Sequence, residues 1–275
     1  MSTPLVKVKK ILVKSMLAAR SLNLGSLAFS INPGKMVEYL KKVNETYRSF
    51  FIGPLRMIKL PDLLKEFGDS DDLFLPLKYV KPGSSPLSDV VVLAALARAI
   101  NPKAIFEIGT FEGLTATVFA KNSPKFTKVN TLDVPSAGSE VQRTERSYSA
   151  QSISFEYKSG YLIDSYACGN KVNRILADSA LFDFSPYTGT IDLFFVDGSH
   201  ASDYVLIDSL NALECVSPNG FVAWHDAYVP DVLNVLKDLA KYHPMYIIQD
   251  TNIAISRGRP DATFPWHALR KKVKK

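Results

Sequence analysis

The stretch 191–200, IDLFFVDGSH, brings two groups able to move a proton or hold a cation to the end of an apolar run. Asp197 and His200 follow Leu193, Phe194, Phe195 and Val196, with Gly198 and Ser199 between them. A neutral imidazole accepts a proton near physiological pH, and a neighbouring carboxylate orients the oxygen that gives it up. The glycine lets the chain turn sharply, so both side chains can face one pocket. His200 also suits a plainer role, as cap of a helix beginning near Ala201. A second pair, His225 and Asp226 in VAWHDAY, again ends an apolar run. Asp197 and Asp226 can jointly bind one divalent ion with His225 as third ligand, or His225 can simply pack and hydrogen-bond.

Three further apolar runs end in polar groups. In FEIGTFEGLTA, Gly109 and Gly113 bracket a tight turn where the missing side chains permit close approach of backbone to a ligand. The turn departs from G-x-G-x-x-G, which disfavours a pyrophosphate cradle, and Glu107 ahead of it suits a ligand bearing an ammonium group. Asp133 in NTLDVP can accept both hydroxyls of a ribose, or serve as a cap. Asp178 and Ser179 in ILADSALFDF can reach an adenine amino group, or cap the next turn.

These groups share a position, the C-terminal tip of a strand, which is where open α/β sheets bind ligands. From residue 85 onward short apolar runs alternate with helical patterns. SPLSDVVVLAALARAINP is a helix opened by Ser85 and Pro86 and stopped before Pro102. KAIFEIG, KVNTLDV, VNRILAD, IDLFFVD and GFVAWHD are strands, and SPNG stops the helix ASDYVLIDSLNALECV ahead of the last. MYIIQDTNIAISR closes the pattern as two strands too close for a crossover, hence antiparallel. The expected fold is α/β: a Rossmann-like, doubly wound sheet of seven mostly parallel strands with an antiparallel last strand. A mainly helical segment over 1–84 precedes this domain at 85–260, and a basic tail over 261–275 follows it. In the first segment the spacing of Met36, Leu40, Val43 and Tyr47 predicts a helix, and FIGPLRMIKLPDLL reads as a connector. Residues 135–170 are polar and aromatic without clear period.

The formal charge of +6 is a property of the ends. Ten of the 33 basic residues lie in positions 1–20 and 270–275, which hold no acid, so the body carries 23 basic against 27 acidic residues. Such ends are most simply solvated, with weak contact to an anionic surface as the lesser role. An acidic body lacks the phosphate-binding footprint of a nucleic-acid partner. Two cysteines, Cys168 and Cys215, make neither a disulfide framework nor a zinc cluster, and read as free thiols of a cytoplasmic, reducing setting. No apolar run approaches the roughly 18 residues of a transmembrane helix.

Taken together and in order, E-x-G-T-F-x-G, DS…FDFSPY, VDGSH and WHD resemble the class I S-adenosylmethionine-dependent methyltransferases. Within that class the chain from about 85 to 256 is similar to methyltransferase family 24, near the catechol-type and macrolide-sugar O-methyltransferases. The resemblance implies that Glu107, Gly109, Thr110 and Gly113 surround the methionine part of S-adenosylmethionine, with Thr115 near its carboxylate. It implies Asp133 on the ribose and Asp178 and Ser179 on the adenine. It makes His200 the general base and Asp197, His225 and Asp226 the ligands of a divalent metal. His225 stands where the relatives carry an acid, and an imidazole suits softer ions better than Mg2+. The implied reaction is O-methylation of a small-molecule or glycan hydroxyl, by a chain compatible with a homo-oligomer. A nicotinamide oxidoreductase would want the missing phosphate cradle. A nucleic-acid methyltransferase would show an aromatic N/D-P-P-Y stretch where DGSH stands. A non-catalytic scaffold has no use for a base beside a metal acid.

Overall fold

The computed structural model describes residues 53–65, 67, 72–79, 84–134 and 159–273. The helix expected around Met36–Tyr47, the basic positions 1–20 and the segment 135–158 lie outside them. Contacts divide the chain into Met1–Gly53 and Pro54–Lys275, and all described residues but Gly53 lie in the second unit. Among these residues eight strands form one sheet: β1 (Arg56–Ile58), β2 (Ala104–Ile108), β3 (Lys128–Asp133), β4 (Val172–Leu176), β5 (Ile191–Val196), β6 (Val216–Trp224), β7 (Met245–Ile248) and β8 (Ala254–Arg257). Seven helices accompany them: α1 (Leu60–Leu64), α2 (Leu87–Ile100), α3 (Leu114–Asn122), α4 (Tyr161–Ser165), α5 (Ser202–Cys215), α6 (Pro230–Leu239) and α7 (Trp266–Val273). No described helix is long and apolar enough to cross a membrane.

The strand order is β1-β7-β8-β6-β5-β2-β3-β4. Only β8 runs antiparallel to its neighbours, β6 and β7. The α/β class and the antiparallel finish match the expectation, but the count is eight rather than seven. The additional strand, β1, comes from the proline-broken connector. Its three residues carry no period of their own, and pairing with Tyr246, Ile247 and Ile248 of β7 holds them extended. SPNG stops α5 as expected, but the strand expected from Gly220 starts earlier. β6 begins at Val216 directly after α5, and Ile191 and Leu193 of β5 face Val216 and Phe221, so SPNG bulges out of a continuous strand. The C-terminal basic run is also more than a solvated tail. In α7, Leu269 is buried and Arg270 lies 2.5 Å from Glu214 of α5.

Strands covered on both faces read as unbroken apolar runs, and their residues divide by parity. Ile105 of β2, with Leu193 and Phe195 of β5, packs toward Leu93 and Leu96 of α2 and Phe119 of α3. On the other face Phe106 stacks on Phe194 at 5.0 Å, and Phe182, Phe184 and Tyr187 close over Phe106. The FDFSPY motif thus serves as an aromatic floor. Trp224 is fully buried and donates its indole N–H to Ser209 of α5 at 2.9 Å.

From β2 the chain winds outward through β3 and β4, then returns to the other side of β2 as β5. The tips of β2 and β5 therefore form the topological switch point, where this architecture opens a crevice. Gly109, at φ +96°, is what brings the two tips together. A β-carbon there would lie 2.0 Å from the Asp197 carbonyl oxygen, so this glycine admits the neighbouring strand rather than a ligand. Phe111 at φ +46° and Gly113 at φ +87° complete the turn into α3. Asp133 braces it by accepting the Phe111 N–H at 2.9 Å.

Glu107 lies fully buried at the centre of this crossing, with one carboxylate oxygen bonded to Thr115 and the other to Thr131. Burial is the main reason its pKa is pushed up to about 8, with Asp197 and Asp133 adding repulsion. The folded state therefore keeps a proton that the unfolded chain releases above its ordinary carboxyl pKa. Stability then falls as pH rises from about 4.5 to about 8 and levels off beyond. Glu107→Gln is expected to flatten that slope, which melting curves at several pH values within the window will show. Gly109→Ala should cost at least about 2 kcal/mol, from the strained φ and the overlap with Asp197, read by urea denaturation.

Candidate active site

Beside the crossing, the tips of β5 and β6 hold Asp197, His200, His225 and Asp226. His200 places Nε2 2.8 Å from Asp226 Oδ2, with half of its side chain exposed. The partner of His200 is therefore Asp226, one strand over, and not Asp197 directly. Nor does His200 cap α5: the residue at that position is Ala201, which makes no side-chain cap, and Ser199 accepts the Ala201 N–H at 3.2 Å. Asp226 adopts φ +51°, a left-handed conformation that costs a non-glycine residue of order 1 kcal/mol and that neighbouring contacts must sustain. Holding it there are the Val229 N–H to the Asp226 carbonyl and the Ala227 N–H to Asn252.

His225 is the buried member, with 7% of its side chain exposed. Its Nε2 lies 3.0 Å from Asp89 Oδ2, in the first turn of α2. Its Nδ1 lies 3.1 Å from Asp197 Oδ1 and 3.2 Å from Asp226 Oδ2. Neither approach has hydrogen-bonding geometry, so this buried nitrogen has no hydrogen-bond partner among the described residues. Asp197, His225 and Asp226 each offer a ligand atom, all within 4.8 Å of one another. An orphaned ring nitrogen aimed between two carboxylate oxygens is the donor arrangement a divalent cation needs, so the residues fit the metal that the resemblance implies.

The charges are strongly coupled. Burial raises the Asp197 carboxyl pKa, against the pull of His225. Burial also opposes the ionisation of Asp226, but the His200 bond and the nearby charge of the His225 ring outweigh it and hold the carboxyl well below the usual range. The same Asp226 bond raises the His200 pKa. For His225, burial disfavours the charged ring, yet the surrounding carboxylates hold its pKa far above the ordinary histidine value.

The residues expected around the cofactor divide into two sets. Gly109, Asp133 and Asp197 are part-exposed along the crevice, whereas Glu107, Thr110, Gly113, Thr115, Asp178 and Ser179 are buried. Thr110 shares a 2.6 Å hydrogen bond with Thr131, and Thr115 donates to Glu107. Both oxygens of Asp178 are engaged, one by the Ala180 N–H and one by the Tyr204 hydroxyl, each at 2.9 Å, so the capping role is realised. Sequence reasoning missed Asp89 and Asn252. Asp89 was one polar residue in a helix whose register accounts for it, and only the folded chain brings it to His225.

Residues 106–227 match the family described as Methyltransferase domain (Methyltransf_24). No curated protein matches the chain. Cofactor-bound Rv0187 from MTB shares the fold with a TM-score of 0.50 at 14% identity, over 67% of this chain and 86% of that one. The SAH-bound methyltransferase PaMTH1 of Podospora anserina aligns at TM-score 0.48 and 15% identity, over 81% and 96% of the two chains. The O-methyltransferase TomG of Streptomyces achromogenes, solved with SAM, aligns at 0.46 and 16% identity, over 66% and 85%. Residues 106–227, a little under half of the chain, are thus similar to the Methyltransf_24 methyltransferase domain.

Proposed function

We propose that this enzyme transfers the methyl group of S-adenosylmethionine to a hydroxyl of a small-molecule or sugar acceptor, with His200 as general base. The observation that carries the proposal is the His200–Asp226 pair, half-exposed at the switch-point crevice one strand from the Gly109–Gly113 turn. With Nε2–H donated to Asp226, Nδ1 of His200 is left to take the acceptor proton. The acceptor oxygen attacks the methyl carbon, the carbon–sulfur bond breaks, and its electron pair stays on sulfur, leaving S-adenosylhomocysteine. The sulfonium is already an activated leaving group, so alignment and removal of one proton are the protein's main tasks.

Asp133 supports the ribose in this scheme, since its part-exposed carboxylate lies beside the turn it braces. Asp197, His225 and Asp226 would hold a divalent ion, which supplies Lewis acidity to an acceptor hydroxyl when bound. A nitrogen among the donors favours Mn2+, Co2+ or Zn2+ over Mg2+.

Calorimetry with S-adenosylhomocysteine tests the cofactor. Binding is expected, and Asp133→Ala should weaken it by about 1.5–3 kcal/mol; absence of heat on folded protein would refute the reading. For the base, His200→Ala should lower kcat by about 10²–10⁴-fold on the true acceptor with cofactor affinity nearly unchanged. Turnover within a few-fold of wild type would remove His200 from the chemistry.

A further inference from the structure

Asp89 has no part in the scheme so far, yet it is among the most constrained polar groups described. It is fully buried in the first turn of α2, 136 residues from His225 in sequence. Its Oδ1 accepts the Asn252 backbone N–H at 3.1 Å, and its Oδ2 accepts the Asn252 side-chain amide at 3.2 Å. Oδ2 also faces His225 Nε2 at 3.0 Å, and the Ser88 hydroxyl donates to Oδ1 at 3.1 Å. Asp89 is the third residue of α2 and not its cap, which is Pro86. Apart from the Ser88 hydroxyl, the donors to its oxygens come from the β6 tip and the turn before β8.

We propose that Asp89 is a positioning residue: it fixes the proton of His225 on Nε2 and so presents Nδ1, between Asp197 and Asp226, as a metal ligand. A carboxylate can only accept hydrogen bonds, so the nitrogen facing Asp89 must carry hydrogen. The other nitrogen then faces the two acids with its lone pair, an orientation that a cation between them stabilises. Histidine ligands commonly take this form, with the distal N–H held by a carboxylate that sets the ring's tautomer and strengthens it as a donor. Asn252 holds Asp89 in turn, so its two donors oppose any rotation of the carboxylate away from the ring. The inference rests on the metal-holding role proposed for Asp197, His225 and Asp226.

The test uses Co2+ as probe, with the full chain. Asp89→Asn keeps shape but leaves one acceptor oxygen where the carboxylate offers two, so either the His225 Nε2–H or the donors of Asn252 lose their partner and the ring is no longer fixed with its lone pair on Nδ1. Visible-absorption titration should show Co2+ binding weakened by about 10–100-fold. Affinity for S-adenosylhomocysteine, measured by calorimetry, should stay within twofold, which separates this inference from the methyltransferase reading. Equal Co2+ affinity in the variant, or no Co2+ binding by wild type, would overturn the proposal. Should that variant fail to fold, the wild-type protein decides, with His225→Asn as its control. Its Co2+ form should give a hyperfine-shifted, exchangeable imidazole N–H resonance that His225→Asn lacks, and its absence would overturn the assignment equally.

Discussion

Three carboxylates enclose the imidazole of His225, each from a different place: Asp89 from the start of α2, Asp197 from the β5 tip, and Asp226 from the residue after His225 itself. Gathering that much negative charge away from water is unfavourable unless positive charge lies among it. A protonated ring, a metal ion, or one exchanging with the other meets the requirement. Much of the surrounding structure answers to it. The left-handed backbone at Asp226 turns that carboxylate toward both histidines, and the turn before β8 supplies the donors that keep Asp89 in place.

The site has a rigid floor for the same reason. Gly109 lets β2 and β5 meet at their tips, so Asp197 emerges beside the turn that Asp133 braces. Beneath, Trp224 is bonded to Ser209, which fixes the last residue of β6 before His225. A half-exposed base is thereby mounted on a buried frame, and His200 is the most exposed of the four side chains of the cluster.

What was legible in the sequence follows from the range of the forces involved. Strands buried on both faces announce themselves as apolar runs, so IDLFFVD and KAIFEIG located their own tips and the groups just beyond them. The glycines at 109 and 113 marked a turn correctly, though the atom approaching Gly109 is a backbone carbonyl of β5, which no local pattern could reveal. β1 was illegible because three residues hold a strand only when β7 is already there to pair with. SPNG ends α5 as its residues suggest, but it also lies inside β6, since Gly220 lets the strand pass close to the Ile191 carbonyl, where a β-carbon would come within 2.7 Å. Asp89 was hidden for a related reason. Its function depends on two partners 136 and 163 residues away.

The placement of β8 bears on the order in which the molecule can be built. The last strand in the chain is not at the sheet's edge but between β6 and β7, so β7 and β1 join the sheet only through it. Asn252 lies just ahead of that strand. Closing a loop of such length is entropically uphill until the contacts at its ends form. Asp197 and His200 can therefore reach their strand tip in a chain whose sheet is still two separate pieces, but the clamp on Asp89 closes only with insertion of β8. Assembly of the cation cluster is thus tied to the completion of folding, and a nascent or truncated chain lacking that strand would carry the acids without the geometry.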